Sequence, residues 1–519
     1  MQSNRQSETN LRLAELLASL SLAIDLGIGK PMEWVLSSCL LGVALSEMLG
    51  LGEADRQDVY YLSLLRHIGC TATADDEAAL FGNELHMADA LTVDSQDLGQ
   101  AFRFLLRTAG RGQPLVRRAQ FLAKALAAGP AAADTVAAVQ CEIAAHMAST
   151  LDLRSDYPTF LWQIYERWDG RGVPNRLEGA AIALPVRVIH VAQDAVTVYQ
   201  LGGLDAALAF VRERAGRILD PAIVDQFSRS APELLERLKV DSLWQAVLEA
   251  EPGDPVRFND EQFEIALQVI ADFTDLKSPY TINHSRGVAD LAARTAQQFG
   301  LPETDVRALR WMGYIHDIGR VGVSAGIWGK AGPLTESEWE RVRLHPYYTE
   351  RVFARSPSLA DIGAQAALHH ERLDGSGYHR RLSAGMLPIA ARILAAADVY
   401  HAMTEPRPHR PALASATAAT ELRREVQAGL LDSQVADAVL SVAGHQLPPA
   451  RRGPATELSQ REIEVLRLVA RGLTNKEVAK VLVISPRTVE HHLQHIYDKT
   501  GASSRAGATL FAMQHHLIS

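Results

Sequence analysis

Two passages of this 519-residue chain repeat one another. Tyr165 to Gly179 reads YERWDGRGVPNRLEG, and His369 to Gly385 reads HHERLDGSGYHRRLSAG; both contain ERxDGxG. Shifting the later copy back by 205 positions superimposes Asp374 on Asp169, Gly377 on Gly172 and Arg392 on Arg187, and sets Asp398 opposite Gln193. One gap-free offset over two separate matches marks an internal duplication. Upstream, LSLLRHIGC (62–70) resembles WMGYIHDIG (311–319), with Arg66 and His67 in place of His316 and Asp317. The chain must therefore fold as two related units. They differ pointedly: the later copy opens with two histidines where the earlier has Ile164 and Tyr165.

Apolar residues recur at three- and four-residue spacing in segments such as LRLAELLASLSLAIDLG and QFEIALQVIADFTDL, and long alternating β-branched runs are missing. The expected fold class is all-α. The first repeat is expected over about 10–250 and the second over about 260–445. Between them EAEPGDPVRFND (249–260) reads as a linker, and HQLPPARRGPAT as a second one centred on 446–456. Residues 457–519 suffice for one small domain. The composition is that of a globular protein, 47% hydrophobic and 22% charged. A net charge of −9 confines any nucleic-acid contact to a local patch. Cys39, Cys70 and Cys141 are scattered and form no CxxC pair, which argues against a disulfide framework and suits a reducing cytoplasm. No signal pattern opens the chain. The apolar run Trp34 to Ser46 is too short to span a bilayer and reads as a core helix. The sequence therefore predicts a cytoplasmic protein with no membrane partner.

In order, the second repeat holds His284, His316, Asp317, His345, His369, His370 and Asp398. Taken singly, each histidine fits a surface or capped residue as well as a ligand. Together, imidazole and carboxylate suit Mn, Fe, Zn or related ions. Two such ions can clamp a phosphate for in-line attack, and Asp317 beside His316 is a natural bridge. The glycine-rich DGSGY turn can bring backbone and Tyr378 near a phosphate.

The series NHSRGVADLA, IHDIGRVGV, KAGPLTESEWERVRLHP, HHERLDGSGY, AARILAAADVYHAM and PRPHRPAL resembles the HD-GYP branch of the HD-domain metal-dependent phosphohydrolases over residues 275–415. The resemblance implies that His284, His316, Asp317, His345, His369, His370 and Asp398 are metal ligands. It implies two divalent ions, Asp317 and Arg320 in the catalytic centre, and Gly377, Tyr378, Arg407 and Arg410 at the substrate. The reaction it implies is hydrolysis of a phosphodiester of cyclic-di-GMP. Arg320 replaces the family's lysine, a planar fork in place of a point charge. His379 replaces a proline, and His401 stands where an aspartate is frequent. Tyr280 occupies the position of a glutamate that serves a third ion in some members, so two ions are expected.

In the first repeat Trp34, Arg66–His67, Gln140, Ile164–Tyr165 and Gln193 stand at the ligand positions, so every ligand is altered. One copy is expected to keep the chemistry and the other the fold, with ERWDGRG retained because it shapes the turn.

From Glu457 on, SQRE (459–462) and TNKE (474–477) read as capping boxes, and Ser485–Pro486 as a third helix start. Gly472 and Gly501 read as helix ends. Four helices are expected, the second and third forming a helix-turn-helix. On the third, Val489, Leu493, Ile496 and Tyr497 share an apolar face. Arg487, Thr488, Glu490, His491 and Gln494 could then enter a major groove, and Lys476, Arg487, Lys499 and Arg505 could contact phosphates. The segment resembles the LuxR-type (GerE-like) DNA-binding domain nearly throughout. That resemblance implies base-facing positions for Glu490, His491 and Gln494, and a homodimer on DNA. The expected whole is a bacterial DNA-binding transcriptional regulator carrying a phosphohydrolase. Two alternatives remain: a nucleotide sensor with slow turnover, and a phosphohydrolase of another nucleotide.

Overall fold

The computed structural model describes residues 11–446 and 458–500, with Ala508 and Ala512. Among them every regular element is helical, and the only β pairs are isolated bridges. The first copy contributes α1 (Leu13–Gly27), α2 (Trp34–Met48), α3 (Glu53–Leu65), α4 (Ala74–Phe81), α5 (Leu98–Thr108), α6 (Leu115–Thr150), α7 (Tyr157–Leu161), α8 (Leu184–Arg214), α9 (Pro221–Glu236) and α10 (Leu243–Glu249). The second contributes α11 (Asp260–Asp275), α12 (His284–Gln298), α13 (Glu303–Ile315), α14 (Ala325–Trp328), α15 (Glu336–Arg343), α16 (His345–Phe353), α17 (Ala360–Ala366), α18 (Ile389–Thr404), α19 (Ser415–Gln427) and α20 (Ser433–Val442). Then follow α21 (Gln460–Ala470), α22 (Asn475–Leu482) and α23 (Pro486–Thr500).

The duplication governs the backbone. Helices α2 and α3 recur as α12 and α13, starting 250 positions later, whereas the short turns 179–181 and 384–386 are 205 apart. Glu33 (φ 78) and Asn283 (φ 65) take the same left-handed conformation before α2 and α12. A Cβ on Gly69 would lie 2.0 Å from the Gln140 carbonyl oxygen, and one on Gly319 1.9 Å from that of His345. These close approaches require glycine and make Gln140 the counterpart of His345. The fall in offset from 250 to 205 gives the first copy 45 more residues between Gly69 and Gln140.

The shared passage builds a loop. Glu166 accepts from the amides of Asn175 (2.7 Å) and Leu177 (2.9 Å), and Glu371 from those of Arg380 (3.1 Å) and Leu382 (2.9 Å). Asp169 and Asp374 accept from the amides two residues on, at 3.1 and 2.9 Å. A Cβ on Gly172 or Gly377 would meet the Cα of that same glutamate at 2.4 or 2.5 Å. The passage survives in both copies because a buried carboxylate holding two amides cannot be lost without leaving those amides unpaired.

Helix α2 is buried from Trp34 to Ser46, as a core helix should be. Its hydroxyls stay satisfied by donating to carbonyls within the helix, Ser38 to Trp34 and Ser46 to Val43. The repeat junction near residue 250 is not a gap in packing: both copies share one core and one compact unit that ends at His445. A buried ion pair ties them. Lys277 Nζ lies 2.6 Å from Glu84 Oε1, with side chains 2% and 3% exposed. Glu84 also accepts from the Ser324 hydroxyl and the Ala325 amide, both at 2.8 Å, at the start of α14.

In the second unit Ser459/Glu462 and Thr474/Glu477 form full capping boxes, and Gly472 ends α21 with φ 89. Val465, Leu466, Val469, Val478, Val489, Leu493 and Ile496 make its core, with Tyr497 packed against it. Gly501, Arg505 and the expected fourth helix lie outside the described residues, apart from the helical Ala508 and Ala512. Among the described residues no single helix is long and apolar enough to cross a membrane; 115–129 with 131–150 meets that test only as a pair bent by 80°.

Candidate functional site

Five places on the second repeat converge. His284 opens α12, His316 and Asp317 follow α13, His345 opens α16, His369 and His370 follow α17, and Asp398 lies within α18. All but His370 are buried. Three of the rings are aimed by local backbone. The Nδ1 of His316 bonds the Gly313 carbonyl (2.8 Å), that of His345 the Val342 carbonyl (2.6 Å) and that of His369 the Ala366 carbonyl (2.8 Å). Such bonds fix the tautomer and leave Nε2 as a lone pair.

Those lone pairs point at Asp317. Its Oδ1 lies 3.3 Å from His345 Nε2 and 3.4 Å from His369 Nε2; its Oδ2 lies 3.6 Å from His316 Nε2 and 3.8 Å from His284 Nε2. Asp398 Oδ1 faces His284 Nε2 at 3.2 Å and His316 Nε2 at 3.9 Å, while its Oδ2 is 3.9 Å from His370 Nδ1. The ligand atoms thus fall into two groups, Asp317–His345–His369–His370 and His284–His316–Asp398. Neutral imidazoles bonded at Nδ1 offer no proton at Nε2, yet the Nε2 atoms of His345 and His369 lie 3.2 Å apart. His316 Nε2 and Asp317 Oδ1 are buried without a hydrogen-bond partner. Acceptors gathered around acceptors fit a cation and not a hydrogen-bond network.

The electrostatics agree. Burial would push the Asp317 carboxyl up, but His316, Arg320, His345 and His369 hold it well below the usual carboxylate range. Burial pushes the His316 imidazole down to about 4, toward the neutral ligating form. His284 goes the other way: burial disfavours its charge, but Asp398 and Glu405 raise it to about 10. Glu405, which the sequence reading missed, accepts from His284 Nδ1 at 2.8 Å. Its signal was its position seven residues after Asp398, where the chain leaves α18. With His284 and His401 it forms a third group, and His401 Nδ1 lies 3.2 Å from it.

Beside these residues opens a cleft of about 640 Å³. Arg320 donates to Asp317 Oδ2 (3.1 Å) and stacks on Trp328, its guanidinium carbon 3.9 Å from the ring centre. Tyr378 lines the cleft with its ring 4.4 Å from that of His370, and Gly377 sets the turn that places it. Arg407 also reaches the cleft, bonded to Glu405 (2.9 Å) and the Tyr280 carbonyl (3.2 Å). Arg410 lines it too, but its guanidinium donates to the carbonyls of Ala402, Met403, Glu405 and Pro411. A cation at the C-terminus of α18 complements the helix dipole, so the geometry makes Arg410 a brace for that end and not a free hand for phosphate. Trp328, Lys330 and Trp339 complete the wall and were absent from the sequence reading. His379 lies 4.0 Å from Glu350, on the turn the replaced proline would occupy.

The first copy fills the corresponding space with itself. Trp34 stands at the His284 position with its ring 5.6 Å from that of His67. His67 Nε2 bonds Gln193 Oε1 at 2.9 Å, linking the positions of Asp317 and Asp398. Arg66 donates to the Ile164 carbonyl (2.9 Å), and Tyr165 donates to Gln140. Burial, reinforced by Arg66, lowers the His67 imidazole to about 3. His67 is paired with Gln193 and Tyr165 with Gln140. Arg66 meets the Ile164 carbonyl through one guanidinium nitrogen while its Nε and other Nη lie buried without a partner, and no carboxylate remains at the former ligand positions.

On α23, Arg487, Glu490, His491 and Gln494 are exposed, as is Lys476 on α22, and Thr488 is half-buried. Lys499 is committed elsewhere: its Nζ lies 2.7 and 2.9 Å from the oxygens of Glu462, the capping residue of α21. The expected phosphate contact from Lys499 would have to break that pair.

Comparison with known proteins agrees with both halves. Residues 137–223 and 268–435 match the HD domain family, and residues 456–512 the luxR family of bacterial regulatory proteins. The chain is 29% identical over 412 residues to 3'3'-cGAMP-specific phosphodiesterase 3 of Vibrio cholerae, covering 78% of this chain and 89% of that one. It is 36% identical over 155 residues to a cyclic di-GMP phosphodiesterase of Thermotoga maritima, covering 30% and 42%. A crystal structure of the Vibrio cholerae cyclic GMP-AMP phosphodiesterase V-cGAP3 superimposes with a TM-score of 0.58 at 26% identity, over 85% of this chain and 99% of that one. The chain is an HD-domain protein, matched in both of its repeats, joined to a C-terminal domain of the luxR regulatory family.

Proposed function

We propose that the second repeat hydrolyses a phosphodiester bond of a cyclic dinucleotide with two divalent ions, and that the C-terminal unit binds DNA. The observation that carries this reading is the division of Asp317: each of its oxygens addresses a different pair of imidazoles. One ion would sit among His345, His369, His370 and Asp317, the other among His284, His316, Asp398 and Asp317. Two such ions supply a nucleophile at neutral pH and neutralise phosphate charge. The protein's own part is orientation. Arg320, locked between Asp317 and the Trp328 ring, offers a planar fork that matches phosphate oxygens. Arg407 lies at the same cleft, and Tyr378 with the Gly377 turn borders the place where the scissile phosphate would rest. Water adds across one P–O3' bond and yields a linear dinucleotide with a 5'-phosphate and a free 3'-hydroxyl.

The resemblance in sequence suggests cyclic-di-GMP. The relative matched over 89% of its length is a 3'3'-cGAMP phosphodiesterase, which favours cGAMP as a second candidate. Turnover of both by the full chain, loaded with Mn or Fe(II), separates them; a His316→Ala/Asp317→Ala chain is the control. Equal, metal-independent hydrolysis in wild type and control would overturn the reading.

DNA binding rests on the exposed face of α23, with Arg487, Glu490, His491 and Gln494 toward the major groove and Lys476 toward phosphate. Such a protein works in the cytoplasm, as a dimer on paired half-sites. A nucleotide-dependent change in operator affinity at undetectable turnover would favour the sensor over the enzyme.

A further inference from the structure

The 45 extra residues of the first copy leave a feature that neither the metal centre nor the regulatory domain uses. Helix α5 and the first half of α6 form a hairpin, tied where Arg118 donates to the Leu106 carbonyl (2.6 Å). On α5 the exposed apolar residues fall four apart: Leu98 (80% exposed), Phe102 (49%) and Leu106 (41%). On α6 Leu115 (83%), Val116 (73%) and Leu126 (51%) continue the apolar surface. Phe104 and Leu105 of α5 are partly buried, but the stripe of Leu98, Phe102 and Leu106 is left to solvent, and an exposed apolar stripe has its partner elsewhere.

Charge says what kind of partner. Between Leu98 and Ala133 there are six cations, Arg103, Arg107, Arg111, Arg117, Arg118 and Lys124, and no carboxylate. The segment is thus +6 in a chain of net charge −9, which leaves −15 on the remainder. None of the six forms an ion pair with a carboxylate among the described residues. Asp97, just outside the run, caps α5 by accepting from the amides of Gly99 and Gln100. An apolar stripe flanked by uncompensated arginines needs an occupant that is both apolar and anionic.

We propose that this hairpin docks on an anionic phospholipid surface, with Leu98, Phe102, Leu106, Leu115 and Leu126 entering the interface and the arginines meeting lipid phosphates. A second copy of the chain fits less well, because a two-fold contact through the same patch would bring two sets of six cations together. DNA would satisfy the arginines and leave the leucines in water. The expectation of no membrane partner came from the lack of a spanning segment; an interfacial helix needs only a stripe.

Co-sedimentation of the full-length protein with vesicles tests this. Vesicles of phosphatidylglycerol and phosphatidylethanolamine are set against phosphatidylcholine alone. Each basic residue near an anionic surface strengthens binding about five-fold. Arg103→Glu/Arg107→Glu/Arg117→Glu should then weaken binding to anionic vesicles by about 100-fold or more. Phe102→Ser/Leu115→Ser should weaken it comparably while leaving the charge intact, and raised salt should weaken wild type far more than the triple Glu variant. All five positions are exposed or half-exposed, and unchanged melting temperatures confirm folding. Equal binding to neutral vesicles, or none to anionic ones, overturns the proposal. So does a concentration-dependent dimer, abolished by Phe102→Ser/Leu115→Ser, in a protein that ignores vesicles. That outcome would make the face a contact between copies.

Discussion

At matching positions the two repeats set different side chains on one backbone. Trp34 stands for His284, Arg66 for His316, His67 for Asp317, Gln140 for His345, Ile164 and Tyr165 for His369 and His370, and Gln193 for Asp398. In the second copy ligand atoms crowd one another around Asp317, an arrangement that suits a cation. In the first copy His67 pairs with Gln193, and Arg66 reaches the Ile164 carbonyl through one of its three guanidinium nitrogens, so a buried cation stands where the second copy gathers ligand atoms. Meanwhile Glu166 and Glu371, Gly172 and Gly377, Asp169 and Asp374 act alike in both. The difference separates what the fold requires from what the chemistry requires. The first copy also supports the second. Its Glu84 caps α14, which carries Trp328, and neutralises Lys277 beside Ser278 of the cleft.

Asp317→Ala should break the comparison most sharply. Turnover of the preferred cyclic dinucleotide is expected to fall by about a thousand-fold or more, since both ion sites lose a ligand. His67→Ala/Gln193→Ala in the other copy should change the initial rate by less than about two-fold, because the carboxylate and histidine ligands that would hold an ion are replaced there. A rate loss from the second pair as large as from the first would mean the first copy takes part in the chemistry.

Glu84→Gln comes next. It leaves Lys277 charged and buried, which costs about 3–5 kcal/mol, and it weakens the cap of α14. Calorimetry should register the loss of stability, and steady-state kinetics a higher KM from the displaced cleft wall. An unchanged melt would show that the copies are not coupled through this pair.

Glu405→Gln keeps the shape but weakens the anchor on His284 Nδ1. Partners of this kind usually affect metal affinity or activity by about 10–100-fold. Metal titration should find the site of His284, His316 and Asp398 weakened before the other. Equal weakening of both would argue against two separate sites.

The smallest effect concerns pH. Burial raises the Glu77 carboxyl from 4.5 to about 7, against the opposing bond from Thr73. Between those values the folded protein keeps a proton that the unfolded chain has lost, so stability should fall as pH rises through this window. Glu77→Gln should flatten that part of the melting profile. A slope unchanged in the variant would assign the window to another group.

Much of this was open to inspection in the sequence. The 205-residue offset revealed the duplication because loop-building residues are local: Glu371 and Gly377 act within a dozen positions of each other. The convergence of histidines and carboxylates was legible because five short segments each carry such a residue in a recognisable order. Glu84 was not legible, because its partners Lys277 and Ser324 lie far along the chain and a lone glutamate in a polar segment carries no mark of its fate. Arg410 and Lys499 went to carbonyls and a carboxylate for the same reason. A cation's partner is set by which acceptors the fold brings near, and sequence position alone does not say.

The most direct measurement is the metal content of the full chain by elemental analysis, after loading and desalting, in wild type, Asp317→Ala and His67→Ala/Gln193→Ala. Two ions per chain are expected in wild type, fewer than one after Asp317→Ala, and two still in the first-copy variant. Two ions persisting without Asp317, or lost on changing His67 and Gln193, would contradict the division of chemistry and fold between the two repeats.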